Sequence, residues 1–332
     1  MPRRRKRPGA ATARPVAPDS GPAQPTWALR GSSAAIAAVR AFVGRTGPGR
    51  EPVVVGGEPG SGHLHAAGAL HAAGDRPNGP FVVFDCAAGS EEGMGARLAG
   101  EAARATGGTF VLVEPAAAPG PLQDRLVLLI ENAPAGGAAP RIVACTSRDL
   151  REAAAAGVFS RILLSRLEGR TVRLPALRER AEDVPELLEA VLRERGGREV
   201  TVPALQEDAR RALIVGDWPG NLLDLEHLAR RWLLHPPGES IRLEDLPLDV
   251  ILEAALAEAE GPAGPSTGTG SGDGALRAVR DGVERAVILR VLRRHGGSRS
   301  RAAGALGVHR NTLIHKMREL GVGALDRDGK GS

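Results

Sequence analysis

Five short apolar runs, Val53–Val55, Phe81–Phe84, Phe110–Val113, Ile142–Cys145 and Val172–Leu174, recur between residues 27 and 175 with helix-like stretches between them. This alternation narrows the fold more than any other feature of the chain. Strands joined through helices lie parallel, because a parallel pair needs a crossover long enough to hold a helix. A parallel sheet is covered on both faces, so its strands read as continuous apolar runs. The core must come from Leu, Val, Ile and Ala, since the 332 residues include only five Phe, three Trp and no Tyr. From about 176 to 250 the strand pattern stops and helical segments such as Val184–Arg195 and Leu222–Leu234 take over. The expectation is an α/β domain with a parallel sheet at 27–175 and a smaller helical subdomain at 176–250.

The flanks read differently. Residues 1–26 are Pro, Ala and Arg without a hydrophobic period, which predicts a disordered basic tail. Residues 251–275 are expected to be a linker, most plainly over GPAGPSTGTGSGDGA at 261–275. As a random coil those last residues would span about 20 Å. A third unit follows at 276–322, with a short tail at 323–332. Charge divides along the same lines. Residues 1–26 hold six Lys/Arg against one Asp, and 276–332 hold thirteen Lys/Arg against five Asp/Glu, although the whole chain carries only +5. The middle is therefore acidic and both ends are basic, which favours polyanionic partners at the ends. A solvated tail is an equal reading of Arg3–Arg7.

No stretch approaches the roughly 18 to 20 uninterrupted apolar residues of a membrane span. The Pro, Ala and Gly residues after Arg7 offer no h-region for export. Cys86 and Cys145 lie far apart in no metal or redox spacing and read as buried thiols in a reducing cytosol. No His, Cys or carboxylate cluster has metal-ligand spacing. His65, His71, His227 and His235 read as surface or core histidines, and Arg178 and Arg180 as either nucleotide or subunit contacts or a solvated edge.

The third unit carries a helix-turn-helix pattern. Leu276–Arg294 is amphipathic, Gly296–Gly297 ends it, and Ser298 can cap the next helix. Ala303 is small enough for two helices to cross closely, and Gly307 suits a tight turn of positive φ. Val308 and Leu313 are expected to plug the crossing, with Leu306 facing the core. A second helix from Arg310 to Leu320 would present Arg310, Asn311, Thr312, His315, Lys316 and Arg318, joined by Arg299 from the first helix. Donors of this kind suit phosphates and base edges of double-stranded DNA. The alternative is a helical hairpin with a solvated basic face.

GGEPGSGHLHAAGALH follows the Val53–Val55 run and opens a helix. A phosphate loop needs glycines so that backbone N–H groups close on phosphates, then a Lys reaching the β- and γ-phosphates. Gly57, Gly60, Ser61 and Gly62 keep the loop, and His63 stands where the Lys is required. Imidazole is shorter and mostly neutral at pH 7.

GGSRSRAAGALGVHRNTLIHKMRELGV closely resembles the Fis-type helix-turn-helix that closes many bacterial sigma-54-dependent transcription activators. Residues 28–250 resemble the AAA+ module of the same family through PFVVFDCAAGS, GGTFVLVEP, RIVACTSRDL, RLPALRERAEDVPEL and WPGNLLDLEHL. The resemblance implies an AAA+ P-loop sheet with a helical lid, a DNA-binding dimer formed through 276–294, and ring assembly with AAA+ homologues. Several positions depart from the family pattern. Val113 replaces the Walker B Asp, leaving Glu114, the water-activating position. Ser147 replaces the sensor Asn. Ser160 replaces the first arginine finger, beside Arg161, while Arg166 keeps the second. Leu223 replaces the lid arginine, and His309 replaces the Ser that caps the recognition helix. Residues 89–106 leave no room for the family's GAFTGA insertion, so contact with sigma-54 through that loop is not expected.

The resemblance and these departures imply a cytoplasmic, nucleoid-associated bacterial regulator that binds DNA through its helix-turn-helix and carries an AAA+ core without efficient ATP hydrolysis. Glu114 and Arg166 are catalytic remnants, no metal is required, and weak ATP binding stays open. Two other readings remain: an active ATP-dependent sigma-54 activator, and a non-catalytic subunit that modulates an active homologue.

Overall fold

The computed structural model describes residues 29–88, 91–132, 138–197, 201–260 and 273–322. The tails expected at 1–26 and 323–332, and the linker over 261–272, lie outside the described residues.

Helix α1 (Ala34–Thr46) begins at Ser33, whose side chain accepts the Ile36 N–H. Then come β1 (Val53–Gly56), α2 (His63–Ala72), β2 (Phe81–Asp85), α3 (Glu91–Arg104), β3 (Thr109–Val113), α4 (Gly120–Glu131), β4 (Arg141–Thr146), α5 (Leu150–Ala155), α6 (Arg161–Leu167) and β5 (Arg170–Arg173). The strands form one sheet in the order β2-β3-β4-β1-β5, and every neighbouring pair is parallel. Side chains alternate between faces, so β1 feeds two cores. Val54 joins Phe84, Phe110, Leu112 and Leu163 in the cluster that also takes in residues of α3 to α6. Val53 and Val55 join Val111, Val143 and Cys145 in the cluster that takes in α1 and α2. Strand β5 is an edge, and the run expected at Val172–Leu174 is paired at Arg170–Arg173 instead. Arg170 and Arg173 are exposed there, and charge on an edge discourages further pairing. Leu174 leaves the strand to join the core, its N–H bonded to Gly56 O at 2.7 Å.

The helical subdomain contains α7 (Val184–Gly196), the two-residue strand β6 (Ala204–Leu205), α8 (Glu207–Val215), α9 (Leu222–Leu234) and the strand β7 (Ser240–Ile241) parallel to β6. That small pair is a correction to the strand-free reading of 176–250. A larger one concerns the linker. Residues 251–260 belong to helix α10 (Leu248–Glu260), and α11 (Asp273–Arg294) begins before Leu276. The sequence ILEAALAEAE is rich in strong helix formers, and α10 buries Val250 and Ile251 in the subdomain core with Leu188, Leu213, Leu225 and Trp232. Ala286 of α11 enters the same core.

Helix α11 is also fixed by charge. Arg293 pairs with Glu244 at 2.8 Å and Asp245 at 3.1 Å, and Glu244 is only 5 % exposed. Arg290 donates to the carbonyls of Glu244, at 2.9 Å, and Leu246. Beyond Gly296 (φ 59) and Gly297 (φ 74), α12 (Arg299–Ala305) and α13 (Arg310–Glu319) complete a last small core of Ile288, Leu292, Ala302, Ala303, Leu313 and Met317. Among the described residues no helix is long and apolar enough to cross a membrane.

Candidate functional site

The glycine loop leaves β1 and opens α2. Gly60 (φ +77) and Gly62 (φ +106) adopt backbone angles that side chains rarely tolerate. Gly62 is the N-cap of α2 and has no side chain to bond the first amides. A Cβ at Gly60 would lie 2.2 Å from Gly220 O, so this position needs a glycine for a second reason. Beside the loop, a cleft of about 360 Å³ opens at the carboxyl ends of β1, β4 and β5, lined by Gly57, Glu58, Thr146, Ser147 and Arg148 among others. That is where open parallel sheets place ligands.

His63 turns back towards β4, its Nε2 3.2 Å from Thr146 O. Burial pushes its pKa below the ordinary histidine value, although the Thr146 carbonyl, Glu114 and the Gly57 carbonyl act in the opposite direction. Burial thus favours the uncharged ring. Leu64 follows, where a phosphate loop places the hydroxyl that binds Mg²⁺. This loss escaped the sequence reading, yet it was readable one position after the missing Lys. Ser61 is 3 % exposed, and its hydroxyl has no partner.

At the end of β3, Val113 packs against the α1–α2 core. Glu114 sits at φ 49, ψ 57, an uncommon conformation for a residue with a side chain. Its Oε1 accepts the Ser147 N–H at 2.8 Å. Mg²⁺ is held by carboxylate, hydroxyl and phosphate oxygens. Leu64 and Val113 offer none. The residues present do not fit Mg²⁺-ATP chemistry.

The other positions singled out in the sequence have local roles. Ser160 caps α6, its Oγ accepting the Leu163 N–H at 3.3 Å. Arg166 is paired at 2.7 Å with Glu131 of its own chain. Leu223 lies on the loop, its Cγ 3.3 Å from where a Cβ on Gly60 would stand. Arg178, read as a contact or a solvated edge, grips Glu58 of the loop through both carboxyl oxygens. Arg180 is 3 % exposed, with Nη2 3.4 Å from Ser61 O and Nε unpartnered. Gly57 and Glu58 of the loop thus line the cleft, and Glu114 reaches its edge through the Ser147 N–H. The Arg178–Glu58 pair spans 120 residues, and no spacing in the sequence announces it.

The second site is the surface of α12 and α13. Gly307 (φ 66) makes the turn, and Leu313 and Met317 fill the crossing. Val308 does not. Its N–H closes the turn on Ala303 O at 3.0 Å while its side chain is 39 % exposed. His309 caps α13, Nδ1 accepting the Asn311 N–H at 3.3 Å, so imidazole fills the role of the absent serine. Arg310, Asn311, Thr312, His315 and Arg318 are exposed, and Arg299 is half-buried. Lys316 departs from the outward arrangement: its Nζ is 2.6 Å from Glu284 of α11. His315 Nδ1 stands 3.7 Å from Glu319. The carboxyl that holds Lys316 lies 32 residues earlier, on another helix, where sequence periodicity does not reach.

Three family descriptions match in order: a sigma-54 interaction domain at 30–177, an AAA+ ATPase lid domain at 178–261, and a bacterial regulatory protein of the Fis family at 280–320. The DNA-binding transcriptional regulator NtrC of Escherichia coli K12 is 32% identical over 337 residues, covering 90% of this chain and 71% of that protein. The nitrogen assimilation regulatory protein NtrX of Azorhizobium caulinodans is 34% identical, covering 88% and 69%. Among solved structures, NtrX from Brucella abortus in complex with ATP aligns with a TM-score of 0.61 at 28% identity, covering 88% of this chain and 69% of that one.

Proposed function

The chain belongs to the sigma-54-type transcriptional regulators of the NtrC and NtrX kind, and we propose that within this family it reads DNA through α12 and α13 while its AAA+ core does not hydrolyse ATP. One observation carries the second half. The residue in the lysine's place is a half-buried imidazole bonded to the Thr146 carbonyl, and Leu64 and Val113 supply no oxygen to a metal. Phosphoryl transfer relies on cations around the γ-phosphate, and positioning a base cannot replace them. Glu114 is left with nothing polarised to act on.

The DNA half rests on exposed donors at the start of α13. Arg310 makes phosphate contacts, and Asn311 and Thr312 set register and read base edges. Arg299, His315 and Arg318 widen the basic face. The reader works as a homodimer that uses 276–294 in a cytoplasmic, nucleoid-associated protein. Without a GAFTGA loop, regulation runs through occupancy and protein contacts rather than remodelling of sigma-54.

A second reading, a non-catalytic subunit in a ring of active homologues, is favoured by one feature. Leu128, Val158 and Ile162 of α4, α6 and the turn before α6 are each more than half exposed beside Arg161 and Arg166. Size-exclusion chromatography with and without a competent homologue separates the two readings.

Fluorescence anisotropy of the full chain on a labelled duplex tests the DNA half. Binding should fall steeply with salt and be the same with and without ATP. Absence of salt-sensitive binding would refute it.

A further inference from the structure

We infer that protein contacts lock the lid onto the phosphate loop and take over the closing role a nucleotide would have. This goes beyond the absence of hydrolysis, since a core that fails to turn over ATP could still have an open lid. The contacts form one continuous seam. Arg178 holds Glu58 through both oxygens, one bond being 2.8 Å, and lies 3.8 Å from Asp217 in the loop before α9. Asn221 ties three segments: Oδ1 accepts the Leu177 N–H at 2.6 Å, Nδ2 donates to Pro59 O at 3.0 Å, and the residue is wholly buried. The backbone itself crosses the gap, with Leu222 N–H donating to Gly60 O at 3.1 Å. Leu222 and Leu223 lay aliphatic carbon against Gly62 and Gly60.

Two backbone features mark the seam as built rather than incidental. Trp218 (φ 50) and Asn221 (φ 54) both adopt positive φ. Such angles persist in bulky residues only where the surroundings over-determine them. At Trp218 the indole donates to Leu213 O at 2.9 Å, and at Asn221 the two side-chain bonds above do the same work. The lid in turn carries the DNA reader through Ala286, Arg290 and Arg293, so closing the seam also sets where α13 points relative to the sheet.

Hydrogen exchange of the full chain, read over 57–62 and 218–223, tests the lock. In the unmodified protein both segments should be protected without nucleotide and unchanged when ATP is added. Arg178→Ala should speed exchange there by about tenfold or more, as local opening becomes easier, and leave Leu225–Leu234 of the lid core unaltered. Arg193→Ala, which removes the same charge from another lid ion pair, should change neither segment. Glu58→Gln, which keeps the packing of Arg178, should reproduce the Arg178→Ala pattern even if that variant proves unstable. The inference is overturned if the unmodified protein exchanges freely until ATP protects it, or if Glu58→Gln leaves both segments unchanged. Either result would leave the hydrolysis claim standing, because that is read by phosphate release.

Discussion

At the scale of single residues, the protein is distinguished by which side chains are tied and which are free. Arg310 is exposed while Lys316 is held by Glu284. Arg310→Ala should therefore lower affinity for all duplexes and reduce the slope of log K against log salt by about one unit. Lys316→Ala should leave that slope unchanged, as read by anisotropy across a salt series. Glu58 is held at about 2, well below its ordinary 4.5, first by the hydrogen bond from Arg178, against the cost of burial, with help from Asn221 and from the charges of Arg178 and Arg173. A depressed carboxyl stabilises the fold fully above the ordinary value and loses that contribution as pH falls through the lowered one. The difference in urea midpoint between the unmodified protein and Glu58→Gln should thus be constant from pH 8 to 5.5, then shrink as pH falls from about 4.5 towards 2. Burial pushes the Cys86 and Cys145 thiols up to about 12. Thiolate is the reacting species, so neither cysteine should be alkylated at pH 8 until the chain is unfolded.

At the scale of elements, the apolar runs were legible because every strand of a covered parallel sheet must be apolar on both faces. The one run that slipped is β5, one of the two edges, where Arg170 and Arg173 interrupt the pattern yet the backbone still pairs with β1. The turn into α13 was legible for a similar reason: Gly307 needs φ 66 and Ser298 and His309 are caps. A Cβ at Gly307 would meet nothing within 4 Å. Gly307→Ala should therefore cost only the conformational penalty of about 1 kcal/mol, measurable by urea unfolding. Helix α10 was hidden because Ala and Glu in ILEAALAEAE precede a glycine-rich tract, and composition blurred the boundary. What makes those residues a helix end in the lid core is the burial of Val250 and Ile251 against elements far away in sequence. The Val308 plug failed for the opposite reason: two adjacent small residues, Ala302 and Ala303, leave space that Leu313 and Met317 already fill.

At the scale of the whole molecule, sheet domain, lid and reader are joined through ion pairs and shared cores rather than strung along the chain. Breaking the join between lid and reader with Arg290→Ala and Arg293→Ala leaves Glu244 buried without its partner. A single cooperative urea transition should then separate into two, seen as diverging tryptophan fluorescence and circular dichroism curves. The catalytic claim also belongs to this scale, because it depends on charges contributed by four separate segments. Restoring one of them, His63→Lys, should not create turnover. His63→Lys with Val113→Asp is the smallest change that returns both a cation and a metal oxygen to the cleft. The most direct measurement is steady-state phosphate release by the unmodified protein with ATP and Mg²⁺, beside Glu114→Gln. The account predicts that both release phosphate at the rate of the buffer alone. Turnover well above that background, abolished by Glu114→Gln, would show a working ATPase and contradict it.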